Sequence, residues 1–150
     1  MIYLSDTSIV LRLSQPHLPI YPTVLQALAE LRKRGEQIAV VPQILIEFWT
    51  VATRPIEVNG LGITTEKAGQ ELKNLQNIFP VMPENEMIFD EWKRLVTQYK
   101  VSGKTTHDAR IVAAMQVHSI SHVLTLNAAD FKRYTEITAI TPQEVLGQTN

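Results

Sequence analysis

Short runs of consecutive apolar residues alternate along this chain with longer stretches in which apolar positions recur every three or four residues. The first pattern suits strands buried on both faces, and the second suits helices with one apolar stripe. Residues 2–5 (IYLS), 38–41 (IAVV) and 122–125 (HVLT) read as buried strands, with a last strand at 137–140. Residues 79–82 (FPVM) fit only an edge strand, because Pro80 has no amide to donate to a ladder. Helical patterns fill the intervals. One runs over about 8–14 behind Thr7 and Ser8. A second is bracketed by Pro22 and Gly35, with Leu25, Leu28 and Leu31 on one face, and a third opens at Pro42 and closes at Pro55. Others are expected from Thr65 to Ile78, from a cap at Asn85 to about Tyr99, and over 107–118. A short helix at 127–133 and a terminal turn from Pro142 complete the series.

Strands separated by helices in this rhythm predict an α/β fold with a parallel sheet. No repeat or low-complexity tract divides the 150 residues, so a single domain over 1–150 is expected. In open parallel sheets the functional crevice lies beyond the carboxyl ends of the strands. Acidic residues stand where such a crevice would be. Asp6 ends the first strand, Glu47 and Asp108 lie early in helices, and Asn127 and Asp130 follow the 122–125 strand.

Each acid has a structural alternative. Asp6 could bond backbone amides at the start of the next helix. Glu47 falls at the edge of a buried stripe, between Ile44 and Val51, where surface helices do not normally keep a glutamate. An ion pair with Arg54 would be its structural role. Thr105 and Asp108 have capping-box spacing, and a helix N-terminus would help keep the Asp108 carboxylate ionised. Asn127 and Asp130 are both good turn residues. The functional alternative joins all of them. Charges at a core edge are expensive unless something positive binds there, and clustered carboxylates suit a hard divalent cation.

Composition narrows the choice. The chain has no cysteine, which removes disulfides, thiolate metal sites and cysteine nucleophiles. A net charge of −1 gives no overall field for nucleic acid, so local cations and bound metal would have to supply any attraction. No apolar run approaches the roughly 18 residues that cross a bilayer, and no leader pattern opens the chain. A cytoplasmic protein without a membrane contact is expected.

Four segments taken together, SDTS at 5–8, the Glu47 helix, HDARIVAA at 107–114 and LTLNAADF at 124–131, resemble PIN domains, and most of all the VapC-type ribonuclease toxins of toxin–antitoxin pairs. The resemblance implies a three-layer α/β/α sandwich with a central parallel sheet. It implies Mg²⁺ or Mn²⁺ at a carboxylate cluster and hydrolysis of RNA phosphodiester bonds to 5′-phosphate and 3′-hydroxyl ends. Asp6, Glu47 and Asp108 match the three usual acids. Asn127 stands where many relatives carry aspartate, so either Asn127 or Asp130 completes the ligand set, with one metal or two. A homodimer and a small antitoxin partner are implied as well. Thr7, Ser8 and Thr125 are candidates to orient ligands or water. Lys104, Arg110, Lys132 and Arg133 are candidates to hold the RNA backbone. His107 is read first as a cap or surface histidine, with an RNA or metal neighbour as the alternative, and Trp49 and Trp92 first as packing residues, with stacking on a base as the alternative.

Two other enzyme classes fit less well. An aspartyl-nucleophile phosphatase wants a second acid two residues after Asp6, where this chain has Ser8. A receiver domain wants adjacent acids early in the chain. The main rival is a PIN-like module that binds RNA or protein without cutting.

Overall fold

The computed structural model describes residues 1–147. Four parallel strands, β1 (Ile2–Ser5), β2 (Gln37–Ala39), β3 (His122–Leu124) and β4 (Thr138–Ile140), form one sheet in the order β2-β1-β3-β4. The central pair is in register at Tyr3 with His122, Leu4 with Val123 and Ser5 with Leu124. Because β1 and β3 are parallel neighbours, their carboxyl ends open at the same edge. The bond from the Asp6 amide to the Leu124 carbonyl (3.0 Å) prolongs the pairing to that edge.

Helices flank the sheet as the three-layer α/β/α sandwich requires. They are α1 (Thr7–Leu13), α2 (Tyr21–Lys33), α3 (Pro42–Thr53), α4 (Thr65–Ile78), α5 (Met87–Gln98), α6 (Thr105–Val117) and α7 (Pro142–Val145). Helix α2 packs on α1 and α7, α3 on α1 and α4, and α5 on α6. The core is continuous through these layers, with Leu4, Ile9, Leu31, Ile44, Phe48, Ile111 and Met115 fully buried. Helix α6 buries Ala109 and every residue from Ile111 to Met115, and its alanines allow close approach.

Several local expectations are corrected. The FPVM segment is a single parallel bridge between Val81 and Val40 rather than a strand, because Pro80 offers only its carbonyl, to the Val40 amide. On α2 the buried face is Val24, Ala27, Leu28 and Leu31, while Leu25 is exposed. Asn85 does not occupy the cap itself, which is Glu86, but its side chain accepts from the Met87 amide (2.8 Å). Helix α6 starts at Thr105, two residues earlier than read from sequence, and the Thr105–Asp108 capping box does not form. The Thr105 and Thr106 hydroxyls instead donate back to the carbonyls of Ser102 (2.7 Å) and Gly103 (2.8 Å). A capping box does form at Thr141 and Glu144, opening α7. Among the described residues, no helix is long and apolar enough to cross a membrane.

Candidate active site

Strand β1 delivers Asp6 to the sheet edge and leaves its side chain only 8% exposed. Two hydroxyls converge on the same carboxylate oxygen, Oδ2: Thr125 at 2.8 Å and Ser8 at 3.2 Å. Each hydroxyl also accepts a backbone amide, Thr125 from Asn127 (2.9 Å) and Ser8 from Leu126 (3.0 Å). Those amides direct both O–H groups at Asp6, because a hydroxyl whose lone pair is engaged turns its proton elsewhere. Burial nevertheless pushes the Asp6 carboxyl above its ordinary range, and the charge of Glu47 adds to the shift.

Glu47 is half-buried on α3 and is fixed from two sides. The Thr7 hydroxyl donates to Oε1 (2.7 Å) and the Gln43 amide to Oε2 (2.9 Å). The alternative ion pair with Arg54 does not form, since that guanidinium donates to the Asn59 carbonyl at the far end of α3. Gln43 is one turn before Glu47 on the same helix face and is itself buried. Its amide also donates to the His107 carbonyl (2.8 Å), and its oxygen accepts from Arg110 (3.2 Å). Gln43 thereby ties α3 to the first turn of α6. Sequence reading missed it, and the usable signal was its i to i+4 relation to an acid already singled out.

Asp108 lies in that first turn of α6. Its carboxyl is pushed up to about 6 by partial burial, then by the charges of Asp130, Asp6 and Glu47, with His107 acting in the opposite sense. The helix N-terminus thus does not offset these effects, although a carboxyl at about 6 is still mostly ionised at pH 7. Helix-end effects are typically worth 0.3–1 kcal/mol or so, less than burial beside three like charges. Asp130 is exposed in the short 3₁₀ turn Ala128–Phe131, which Asn127 precedes. Four acids from four parts of the chain thus share one electrostatic environment.

The surrounding cations divide. Arg110 is paired with Glu84 (2.5 Å) across a gap that sequence reading did not anticipate. Lys104, Lys132 and Arg133 are exposed near the ends of α6 and the 3₁₀ turn. His107 is exposed, and the Trp92 indole donates to the Thr106 carbonyl (2.8 Å). Trp49 lines an apolar hollow of about 480 Å³ between α3 and α4 and is not beside the acids.

The donor set consists of hard oxygen ligands, which suits Mg²⁺ or Mn²⁺ by chemistry. Burial raises Asp108 most, and the crowding of acids that adds to it is what a divalent cation would relieve. Among the described residues, however, no group of three acids or histidines is already gathered tightly enough to cage an ion. The site has the ligands and the mutual repulsion, but not a closed coordination shell.

Three comparisons bear on this geometry. VapBC2 from Rickettsia felis, solved bound to a DNA fragment from its promoter, matches 94% of this chain and 98% of its own at 18% identity, with a TM-score of 0.70. VapBC-1 from nontypeable Haemophilus influenzae matches 95% and 99% at 18% identity and a TM-score of 0.71. A toxin–antitoxin complex from Klebsiella pneumoniae matches 93% and 97% at 22% identity and a TM-score of 0.62. At these identities the likeness is one of fold. No curated protein matches by sequence. The family model of the PIN domain matches residues 3–137, and with nearly the whole chain covered, this protein belongs to the PIN domain family.

Proposed function

We propose that this chain is a metal-dependent endoribonuclease and the toxin of a toxin–antitoxin pair. The observation that carries the reading is the meeting of Asp6, Glu47, Asp108 and Asp130 at the carboxyl edge of the sheet, close enough for the other three to raise Asp108. Membership of the PIN family supports the reaction class. The similar folds seen in toxin–antitoxin complexes from three bacteria support the partner, a small antitoxin, and a site that the partner must silence.

Asp6, Glu47 and Asp108 would hold Mg²⁺ or Mn²⁺, with Asn127 or Asp130 supplying a further ligand. When bound, such an ion neutralises the acids, polarises a phosphodiester and makes a water nucleophilic near neutral pH. The chain's own residues do the positioning. Thr125 and Ser8 fix the Asp6 carboxylate, so that Oδ2 is held by hydroxyls. Thr7 and Gln43 fix both oxygens of Glu47. Such outer contacts typically matter about 10–100-fold in metal affinity or activity. Arg110, Lys104, Lys132 and Arg133 would hold phosphates on either side of the cut, and the chain itself contributes no covalent nucleophile.

The test is cleavage of a cellular RNA pool by purified, antitoxin-free protein with Mn²⁺ or Mg²⁺, beside EDTA and Asp108→Asn controls. Cleavage that needs both the ion and Asp108, leaving 5′-phosphate ends, is the expected result. Equal cleavage by Asp108→Asn would remove these acids from the reaction. A folded protein that binds RNA or antitoxin but never cuts would make this a binding module.

A further inference from the structure

Beyond the acids, on the far side of the α6 N-terminus, lies an aromatic platform that the cleavage chemistry does not use. Phe89 on α5 is 63% exposed, although it directly follows the buried Ile88 of the same helix. Its ring stacks on Trp92, with centroids 5.6 Å apart and planes 29° from parallel. Trp92 is in turn fixed by its indole bond to the Thr106 carbonyl, two residues before Asp108. The two rings, with Thr106, His107 and Arg110, line a hollow of about 260 Å³. His107 and Arg110 also line a neighbouring hollow of about 610 Å³ that reaches Gln43 and Glu47. The two hollows adjoin at His107 and Arg110 and together form a trough from Glu47, past an imidazole and a guanidinium, to an exposed aromatic face.

We propose that Phe89, backed by Trp92, is a stacking platform for one base of the RNA strand whose backbone is cut at the acids. This rests on the nuclease reading above and adds to it a subsite that selects unpaired RNA. The order of chemistry along the trough fits a nucleotide strand: metal-binding acids for the scissile phosphate, His107 and Arg110 for a neighbouring phosphate, and a flat ring for a base. A base can reach that ring only if it is unstacked from its neighbours, so the platform favours single-stranded or looped RNA. A protein partner fits the trough less well, because the centres of protein interfaces are depleted in charge and this trough carries Glu84, His107 and Arg110 between its walls. With a net charge of −1, the molecule also needs a source of affinity that does not depend on its overall field. Stacking supplies one, since the face of any base will serve.

The experiment pairs protein and substrate changes. RNA cleaved by the metal-loaded protein is remade with one abasic nucleotide walked along the positions flanking the cut, and each version is assayed with wild type, Phe89→Ala and Phe89→Trp. Stacking of a base on an aromatic ring corresponds to about tenfold or more in affinity. Wild type should lose about that much in kcat/KM, mainly through KM, at one abasic position. Phe89→Ala should show the same loss with intact RNA and no further loss at that position, and Phe89→Trp should retain activity. Wild-type rates in Phe89→Ala, or an abasic penalty undiminished by that change, would overturn the platform. Conversion of a wild-type dimer to monomers by Phe89→Ala would overturn it in favour of an interface between copies. If wild type cuts no RNA at all, the nuclease reading fails separately. The platform is then decided by titrating Trp49→Phe protein with oligoadenylate and following Trp92 fluorescence. Quenching that Phe89→Ala abolishes supports it, and absence of quenching overturns it.

Discussion

Asp108 holds its proton to about pH 6 in the folded protein, against an ordinary value of 3.8. Between those values the native state binds more protons than the unfolded chain, so stability falls as pH rises through the window and stays lowered above it. In metal-free protein, Asp108→Asn should therefore raise the melting temperature by a few degrees at pH 8 and by much less at pH 4.5. A pH-independent difference, or destabilisation at pH 8, would contradict the burial and crowding that raise Asp108. Thr125 makes the complementary case. It is fully buried, donates to Asp6 and accepts from the Asn127 amide. Thr125→Val leaves the Asn127 amide without this acceptor and Asp6 with only the longer Ser8 bond, and an unmet buried polar group costs about 1–3 kcal/mol. Chemical denaturation should show that loss, whereas Thr125→Ser, which keeps the hydroxyl, should recover most of it. The acids themselves could be read in the sequence because charge next to apolar runs is conspicuous. Gln43 could not, since an uncharged amide in a first helical turn resembles an ordinary surface residue until α6 is seen packed beside it.

The sequence pattern placed the α-helices to within a few residues and missed the 3₁₀ turn Ile56–Val58, and the helix ends were decided by competing hydrogen bonds. Thr105 and Asp108 carry the spacing of a capping box, yet both threonines bond backwards to Ser102 and Gly103 and the helix begins at Thr105. Thr141 and Glu144 carry the same spacing and do form the box. Thr141→Ala should accordingly cost about 1 kcal/mol, measured by denaturation. It should loosen α7 from α2, where Arg34 donates to the Val145 carbonyl (2.8 Å). The loop after α3 is more exacting. Its amides at Gly60, Leu61, Gly62 and Ile63 fold back onto Pro55, Val51, Arg54 and Ala52. A β-carbon at Gly60 would meet the Arg54 carbonyl oxygen at 1.8 Å, a backbone atom with no room to yield. Gly60→Ala should therefore destabilise the protein severely, while Gly69→Ala, in open space on α4, should stabilise it slightly. The sequence puts Gly69 in a helix and Gly60 in a loop, but the severity at Gly60 lies in what the folded loop brings against it.

For the molecule as a whole, ligand and charge are coupled through the sheet edge. A divalent cation that binds only the folded state raises apparent stability with concentration. Mn²⁺ should raise the wild-type melting temperature at pH 8 progressively, and should do so much less in Asp108→Asn. An equal response in both proteins would place the ion elsewhere. The fold class was legible from strand and helix order alone, as was the sheet edge where acids would gather. The sheet order was not, since it depends on β1 lying between β2 and β3, a pairing across more than a hundred residues.

That same pairing sets when the protein can become active. Asp6 leaves the ribosome well before Thr125, whose hydroxyl orients it from 119 residues further on. Contacts so distant in sequence close late, and synthesis proceeds at only about 5–20 residues per second. A nascent chain thus carries its acids for several seconds without the strand that organises them. If the chain is a toxin, its own topology keeps it harmless until the strand that carries Thr125 has been made, leaving an interval in which a partner can be waiting.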